Sequence, residues 1–429
     1  MDKPINSFPG YEFILGGDNK NHNVYKGEDV GFGGYVYAEP GMYGRTVCYD
    51  VSGMHPASIR ALNALGEYTE NFNHLVDARV AIKHKDFNAA RKMLGGKLAP
   101  YLEDETQAKA LAGALKIAVN SVYGLTSAKF ENPFRHPMNN NNIVALRGAL
   151  FMVNLKTEVQ SRGFKVIHCK TDSIKVVEPT EEIANFIMEY GKKYGYQFEI
   201  EHIFEKICLV NNAVYIAKLA DDDPDDPCKW TATGTQFAIP YVFKTLFSKE
   251  KIEFSDLSNT FEVKSALYLD MNEALPDVTG FEKELDKLET KYKKGQLSDT
   301  LFEPESVRLT EEIAKGHDYR FVGKVGNFCP VKPGRGGGVL VREQNGKYYA
   351  ATGTTGYRWL ESETMLSESN VDFIDRSYYN SLVDDAVEAI SQYGDFEWFV
   401  SDDPYIPKPR LDGFMNIPEY ADENGIPWD

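Results

Sequence analysis

Two aspartates sit where a short carboxylate can reach out from an apolar strand. Asp50 follows Thr46-Val47-Cys48-Tyr49 and precedes Val51-Ser52-Gly53-Met54-His55-Pro56, a turn into a helical pattern. Asp172 ends the tetrad Cys169-Lys170-Thr171-Asp172, flanked by the apolar runs FKVIHC (164–169) and SIKVV (173–177). Either aspartate alone reads as a helix cap or a turn residue. Facing one another, they could bridge two Mg²⁺ ions about 3.5–4 Å apart, the arrangement for in-line phosphoryl transfer. A third segment, KIAVNSVYG (116–124), places Lys116, Asn120 and Tyr123 on one helical face at i, i+4, i+7. Arg79 and Lys83 form a second cationic face at i, i+4 on the preceding helical run. Two such faces could clamp a triphosphate, and the plain alternative is a pair of solvated helix surfaces.

The elements that must hold these residues follow from periodicity. Residues 9–43 read as loops and short strands, and 46–51 as a strand. The helical period runs from Pro56 to about Lys97, ending at Gly95-Gly96, then from Thr106 to Val122 with Gly124 as its stop. These two helices are antiparallel neighbours if the link around Pro100 is a turn. Further helices fall at 142–161, with Gly163 as a stop, near 180–194, at 281–294 and near 377–392. The runs around Cys169–Asp172 form a β-hairpin, with strands following near 197–204 and 207–219. Beyond Leu301 the composition turns to Gly- and aromatic-rich strands, which places a domain boundary at 275–300.

Composition bounds the rest. The 429 residues are 42% hydrophobic and 26% charged, an ordinary globular balance for two or three domains. No run of about 18 apolar residues suggests a membrane span, and the N-terminus lacks the pattern of a signal peptide. Five scattered cysteines, none in a C-x-x-C pair, argue against a disulfide framework or structural zinc, so a reducing, cytoplasmic setting is expected. The net charge of −17 at first disfavours a polyanionic partner. But residues 351–429 hold four basic and 17 acidic residues, and 51–100 are net positive with seven against four, so a basic surface upstream is compatible with the sequence. The run DDDPDD (221–226) reads as a solvated turn, with a calcium loop as the alternative.

Read together, these segments resemble the polymerase module of family B DNA polymerases, most closely those of bacteriophages. YDVSGMHPASI is similar to the first palm motif, Asp-x-x-Ser-Leu-Tyr-Pro-Ser-Ile, and CKTDS to the second, Tyr-Gly-Asp-Thr-Asp-Ser. KIAVNSVYG matches the fingers motif Lys-x-x-x-Asn-Ser-x-Tyr-Gly at every fixed position, and GFGGYVYAEPGMY resembles the Tyr-x-Gly-Gly region. The resemblance covers roughly residues 5–275. It implies an α+β right-hand fold: an antiparallel-sheet palm (1–75 and 126–280), two-helix fingers (76–125), and a thumb with an acidic C-terminal region (281–429). It implies extension of a primer 3′-hydroxyl on primer–template DNA, using deoxynucleoside triphosphates and two Mg²⁺ ions, for which Mn²⁺ could substitute. Asp50, Asp172 and the Val51 carbonyl would hold the metals. Lys116, Arg79, Lys83 and Asn120 would meet the nucleotide, with Gly53, Met54 and His55 lining its pocket. Gly33, Gly34, Tyr123, Gly124, Thr171 and Tyr215 would lie along the DNA.

The departures are specific. The first motif's tyrosine, which stands against the sugar 2′ position, is His55, and its serine is Gly53, with Ser52 one place earlier. The first aspartate of the second palm motif is Lys170. The Lys-x-Tyr element that holds the primer end is Ala213-Val214-Tyr215, leaving Lys218 as a candidate replacement cation. No Asp-x-Glu exonuclease motif lies in the roughly 45 residues before Asp50, so proofreading is expected from a separate chain, or the domain was lost or trimmed. In KVGNFCPVKPGRGGGVLVR (324–342), Lys332 and Arg335 among four glycines could follow a phosphate backbone, or the segment is simply a hairpin loop. Trp359 reads as core, with a base-stacking platform as the alternative. Two rivals share the fold: a primer-independent or protein-primed enzyme, and a catalytically weak or inactive DNA-binding subunit.

Overall fold

The computed structural model describes residues 11–15, 21–31, 33–126, 128, 130–134, 142–220, 228–344, 346–367 and 370–403. The DDDPDD run and the acidic stretch beyond residue 403 lie outside them. The chain divides into two units, one of residues 1–234 and 389–429, the other of 235–388. Both are mixed α and β with antiparallel sheets.

In the first unit, β1 (Tyr11–Leu15), β2 (Asn21–Tyr25) and β3 (Glu28–Asp29) form a small sheet. The main sheet takes β4 (Val36–Ala38), β5 (Gly41–Tyr43), β6 (Thr46–Val51), β7 (Val166–Lys170), β8 (Ser173–Val177), β9 (Phe198–Asn211), β10 (Val214–Leu219) and β11 (Trp230–Thr233). Its order is β11-β10-β9-β6-β8-β7-β4, with β5 also on β9, so β6 is interior between β9 and β8. The helices are α1 (Met54–Leu62), α2 (Thr69–Lys83), α3 (Phe87–Ala90), α4 (Glu105–Thr126), α5 (Ile143–Ser161) and α6 (Glu181–Lys193). In the second unit come α7 (Thr235–Ala238), α8 (Pro240–Phe243), α9 (Thr279–Lys293), α10 (Asp299–Ala314) and α11 (Ser362–Ser367). A five-stranded sheet there uses β12 (Asn259–Asp270), β13 (Tyr319–Val331), β14 (Val339–Gln344), β15 (Lys347–Ala350) and β16 (Arg358–Glu361), in the order β15-β14-β12-β13-β16. Helix α12 (Arg376–Ser391) begins in that unit, and α13 (Phe396–Val400) belongs to the first. No helix among the described residues is long and apolar enough to cross a membrane.

Strand alternation sorts the main sheet into two faces. Val47, Tyr49 and Val51 of β6, with Ile174 and Val176 of β8, join one core with Leu146, Leu150, Phe151 and Val153 of α5 and Ile183 and Ile187 of α6. Helix α5 is apolar almost all round and accordingly buried. Helix α6 starts at Thr180, whose hydroxyl accepts from the Ile183 amide, and ends in Lys192 and Lys193, in keeping with the helix dipole. With the helices covering one face, Asp50 on β6 and Lys175 on β8 fall on the other.

Helices α2 and α4 pack antiparallel. Phe72 shares a cluster with Val119, while Ala78 and Ile82 share one with Ala108 and Leu115. In the second unit, Trp359 is fully buried beside Leu267, Leu269, Phe328 and Tyr378, as its reading as core requires.

Several elements differ from the periodicity reading. The helical period from Pro56 to Lys97 is broken by left-handed residues at Asn63 (φ 48°), Lys85 (φ 58°) and Leu94 (φ 51°). Helix α4 runs through Gly124 to Thr126, because a helix interior tolerates glycine at a cost of about 1 kcal/mol. The two strands expected at 197–204 and 207–219 are instead the 14-residue β9 and the six-residue β10, and their ladder shifts register between Lys218 and Leu219. Helix α10 carries Pro304 in its interior, the residue that hides it from a breaker-based reading. The division falls at 234/235 instead of 275–300, because β12 pairs with β13 and β14 and not with the main sheet.

Candidate functional site

Asp50 and Asp172 meet across the β6–β8 ladder. Asp50 is the Cα partner of Ser173, the residue after Asp172, and the Val51 amide donates to the Asp172 carbonyl at 2.9 Å. The β7–β8 turn is tight: Thr171 takes a left-handed φ of 56°, and its amide donates to the Tyr35 carbonyl at 2.8 Å. Gly34 lies against the same turn. A Cβ there would stand 2.7 Å from the Thr171 hydroxyl oxygen, so this position accepts only glycine without displacing Thr171. Gly33 faces open space.

The charges at the site are unbalanced toward negative. Burial, then the carboxylates of Asp172 and Glu201, push the Asp50 carboxyl up to about 7, against the pull of Lys83. Burial and Glu201 also raise Asp172, opposed by its own backbone amide and by Lys175. Neither aspartate has an ion-paired cation among the described residues. No group of three or more His, Cys, Asp and Glu side chains there converges as a metal cage. The available donors are two carboxylates and the Val51 carbonyl, all hard oxygens, a set that suits Mg²⁺ or Mn²⁺. Two half-buried carboxylates without a counter-cation fit a divalent ion there.

Glu199 and Glu201 escaped the sequence reading. Glu199 is the Cα partner of Asp50 on β9. Its carboxylate takes Lys83 Nζ at 2.6 Å and lies 3.3 Å from His84 Nε2. The alternation Phe198-Glu199-Ile200-Glu201 was the available signal. Lys83 is thus brought to the carboxylates but spent on Glu199, whereas the side chains of Arg79 on α2 and of exposed Lys116 and Asn120 on α4 make no hydrogen bond or ion pair among the described residues. Gly53 caps α1 in a left-handed conformation (φ 71°). Met54 is buried against Gly148, so its side chain is core. His55 packs edge-on against Tyr123, with ring centroids 4.0 Å apart, and burial lowers its pKa, which keeps the imidazole neutral. The Tyr123 hydroxyl donates to Asn142 at 3.2 Å, and Gly124 is exposed on α4. Lys170 is exposed at the end of β7.

The expectation for Lys218 is corrected. It is buried, with its ammonium 3.2 Å from both the Ser401 carbonyl and the Asp402 carboxylate and 3.5 Å from Glu205. With Lys206, its partner across the ladder, it anchors the chain after α13. The cation next to Tyr215 is Lys175, whose ammonium lies 5.0 Å from that ring's centre. In the second unit, Lys332 donates to the Asp372 carbonyl at 2.7 Å, and the Arg335 guanidinium lies 4.8 Å from the Phe373 ring centre. Both cations of that glycine-rich loop therefore have partners inside the unit.

No family model matches the sequence, and no curated protein matches it. Among solved structures, the chain is similar to the family B DNA polymerase from the hyperthermophilic archaeon Pyrobaculum calidifontis, at 13% identity and a TM-score of 0.43. The match covers 83% of this chain and 46% of that one, so the chain spans a little under half of that polymerase's length.

Proposed function

We propose that the chain is a DNA-directed DNA polymerase that extends a primer 3′-hydroxyl by nucleotidyl transfer. The observation that carries this reading is the pair Asp50 and Asp172, held side by side on the sheet face opposite α5 and α6, with no ion-paired cation among the described residues. In the reaction, the 3′-hydroxyl oxygen bonds to the α-phosphorus of the nucleotide, the bond to pyrophosphate breaks, and the hydroxyl proton passes to solvent. Divalent metal held by Asp50, Asp172 and the Val51 carbonyl would acidify that hydroxyl and neutralise the departing pyrophosphate.

The rest falls to the chain's own side chains. Lys116 and Arg79, cations of α4 and α2 with no ion pair among the described residues, would hold the triphosphate, with Asn120 alongside. Neutral His55, braced by Tyr123, would stand against the sugar and exclude a 2′-hydroxyl by bulk. Gly34 and Thr171 would bring the backbone close to the template, and Tyr215 would face the primer end. Primer–template DNA and deoxynucleoside triphosphates are the partners this reading requires. Single-nucleotide addition on four primer–templates differing only in the templating base tests it. The complementary nucleotide should be added each time, with Mg²⁺ or Mn²⁺, and Lys116→Ala should lose about 10- to 100-fold in kcat/KM. Addition independent of the template base would remove the reading. The engagement of Lys83 by Glu199 favours a second reading, a DNA-binding subunit with weak catalysis, whose signature is tight primer–template binding without extension.

A further inference from the structure

Lys175 stands in the middle of β8, a strand buried along its whole length, opposite Cys48 on β6 and His168 on β7. Its residue exposure is 4%. A buried ammonium is costly unless its protons and charge are met, yet no carboxylate lies within ion-pair distance of it among the described residues. Its Nζ donates to His168 Nδ1 at 3.3 Å and lies 5.0 Å from the centre of the Tyr215 ring. His168 continues the line, with Nε2 3.2 Å from the Asn212 carbonyl. Burial and the charge of Lys175 lower the His168 pKa to about 4, so the ring is neutral at pH 7 and one nitrogen carries the proton. One tautomer serves both contacts: Nε2–H donates to Asn212, and the Nδ1 lone pair accepts from Lys175.

The row from Lys175 through His168 to Asn212 therefore ties the β7–β8 hairpin, whose turn carries Asp172, to the β9–β10 turn, which leads into Tyr215. His168 and Phe204 hold the same tyrosine edge-on at centroid distances of 6.3 and 6.2 Å. On its other side, the charge of Lys175 acts on Asp172. We propose that Lys175 is a positioning residue: one buried charge, relayed by His168, fixes the β9–β10 turn and Tyr215 relative to the carboxylate pair, so that a primer 3′ end resting on Tyr215 is aligned for reaction. This inference rests on the polymerase reading. It assigns the job to a residue on β8, in place of the missing lysine of Ala213-Val214-Tyr215 or of Lys218, which is committed to Ser401 and Asp402.

A double-mutant cycle tests it. Fluorescence anisotropy with labelled primer–template and with the unprimed strand would be measured for wild type, Lys175→Met, Tyr215→Ala and the double variant. Lys175→Met should weaken primer–template binding about tenfold, and the double variant should bind no more weakly than Tyr215→Ala alone. The unprimed strand should change less than twofold in every variant. Losses that multiply, or a Lys175→Met affinity within twofold of wild type, would overturn the inference. Should Lys175→Met not fold, Lys175→Arg and Lys175→Gln replace it: Arg should stay near wild type and Gln should not, and equal binding by the two would overturn it. If wild type extends primers but the cycle is additive, this inference alone falls. If wild type neither prefers primed DNA nor extends it, the polymerase reading falls and takes the inference with it.

Discussion

Asp50 is held at a cost to folding that its replacement should relieve. The fold lifts its carboxyl from an ordinary 3.8 to about 7, by burial and by the charges of Asp172 and Glu201. At about 1.4 kcal/mol per tenfold in proton affinity, keeping this group ionised in the fold costs about 4 kcal/mol above pH 7. Between roughly pH 4 and pH 7 the folded chain retains a proton that the unfolded chain has released. Stability therefore falls as pH rises through that window and is unaffected below it. Asp50→Asn keeps the shape and removes the charge. In urea unfolding with a chelator present, the variant should gain about 2–4 kcal/mol over wild type at pH 8 and only about 1 kcal/mol at pH 4.5. Added Mg²⁺ should stabilise the wild type and close most of the gap at pH 8. A gain equal at both pH values, or no gain at pH 8, would refute the electrostatic argument.

Three further outcomes are expected. Gly34→Ala should destabilise the fold by about 1–3 kcal/mol, because its Cβ meets the Thr171 hydroxyl at 2.7 Å, and thermal denaturation checks this. Glu199→Gln should release Lys83 and His84, lowering the KM for nucleotide several-fold while changing stability by less than about 1 kcal/mol, since all three side chains are partly solvated. An unchanged KM would show that Lys83 does not reach the nucleotide. His55→Ala should cut discrimination against ribonucleotides by about 10- to 200-fold, read as the ratio of kcat/KM values, because the ring against Tyr123 would be gone.

The parts legible in the sequence are those fixed by local rules. Strand β6 matches the apolar run 46–51, and the hairpin of β7 and β8 turns where Thr171 and Asp172 were expected to turn it. Helices α5, α6 and α9 fall within two residues of their periodicity bounds. What escaped depends on partners far along the chain. Lys83 reads as a free cation until Glu199, 116 residues away, is folded against it. Lys218 reads as a candidate cation for the primer end until Ser401, 183 residues away, engages it. Nothing in residues 259–270 says that β12 pairs with β13 and β14, because strand pattern encodes a face and not a partner. The left-handed residues Asn63 and Lys85 break a helical period whose apolar spacing continues through them.

The most direct test of the central claim is primer extension with Mg²⁺ and all four deoxynucleotides, comparing wild type with Asp172→Ala under conditions where both bind primer–template equally. Extension by the wild type and a loss of at least about a thousandfold in the variant are expected, since the carboxylate pair proposed to hold the metal is then broken. Equal extension by both, or none by the wild type with binding intact, would contradict it.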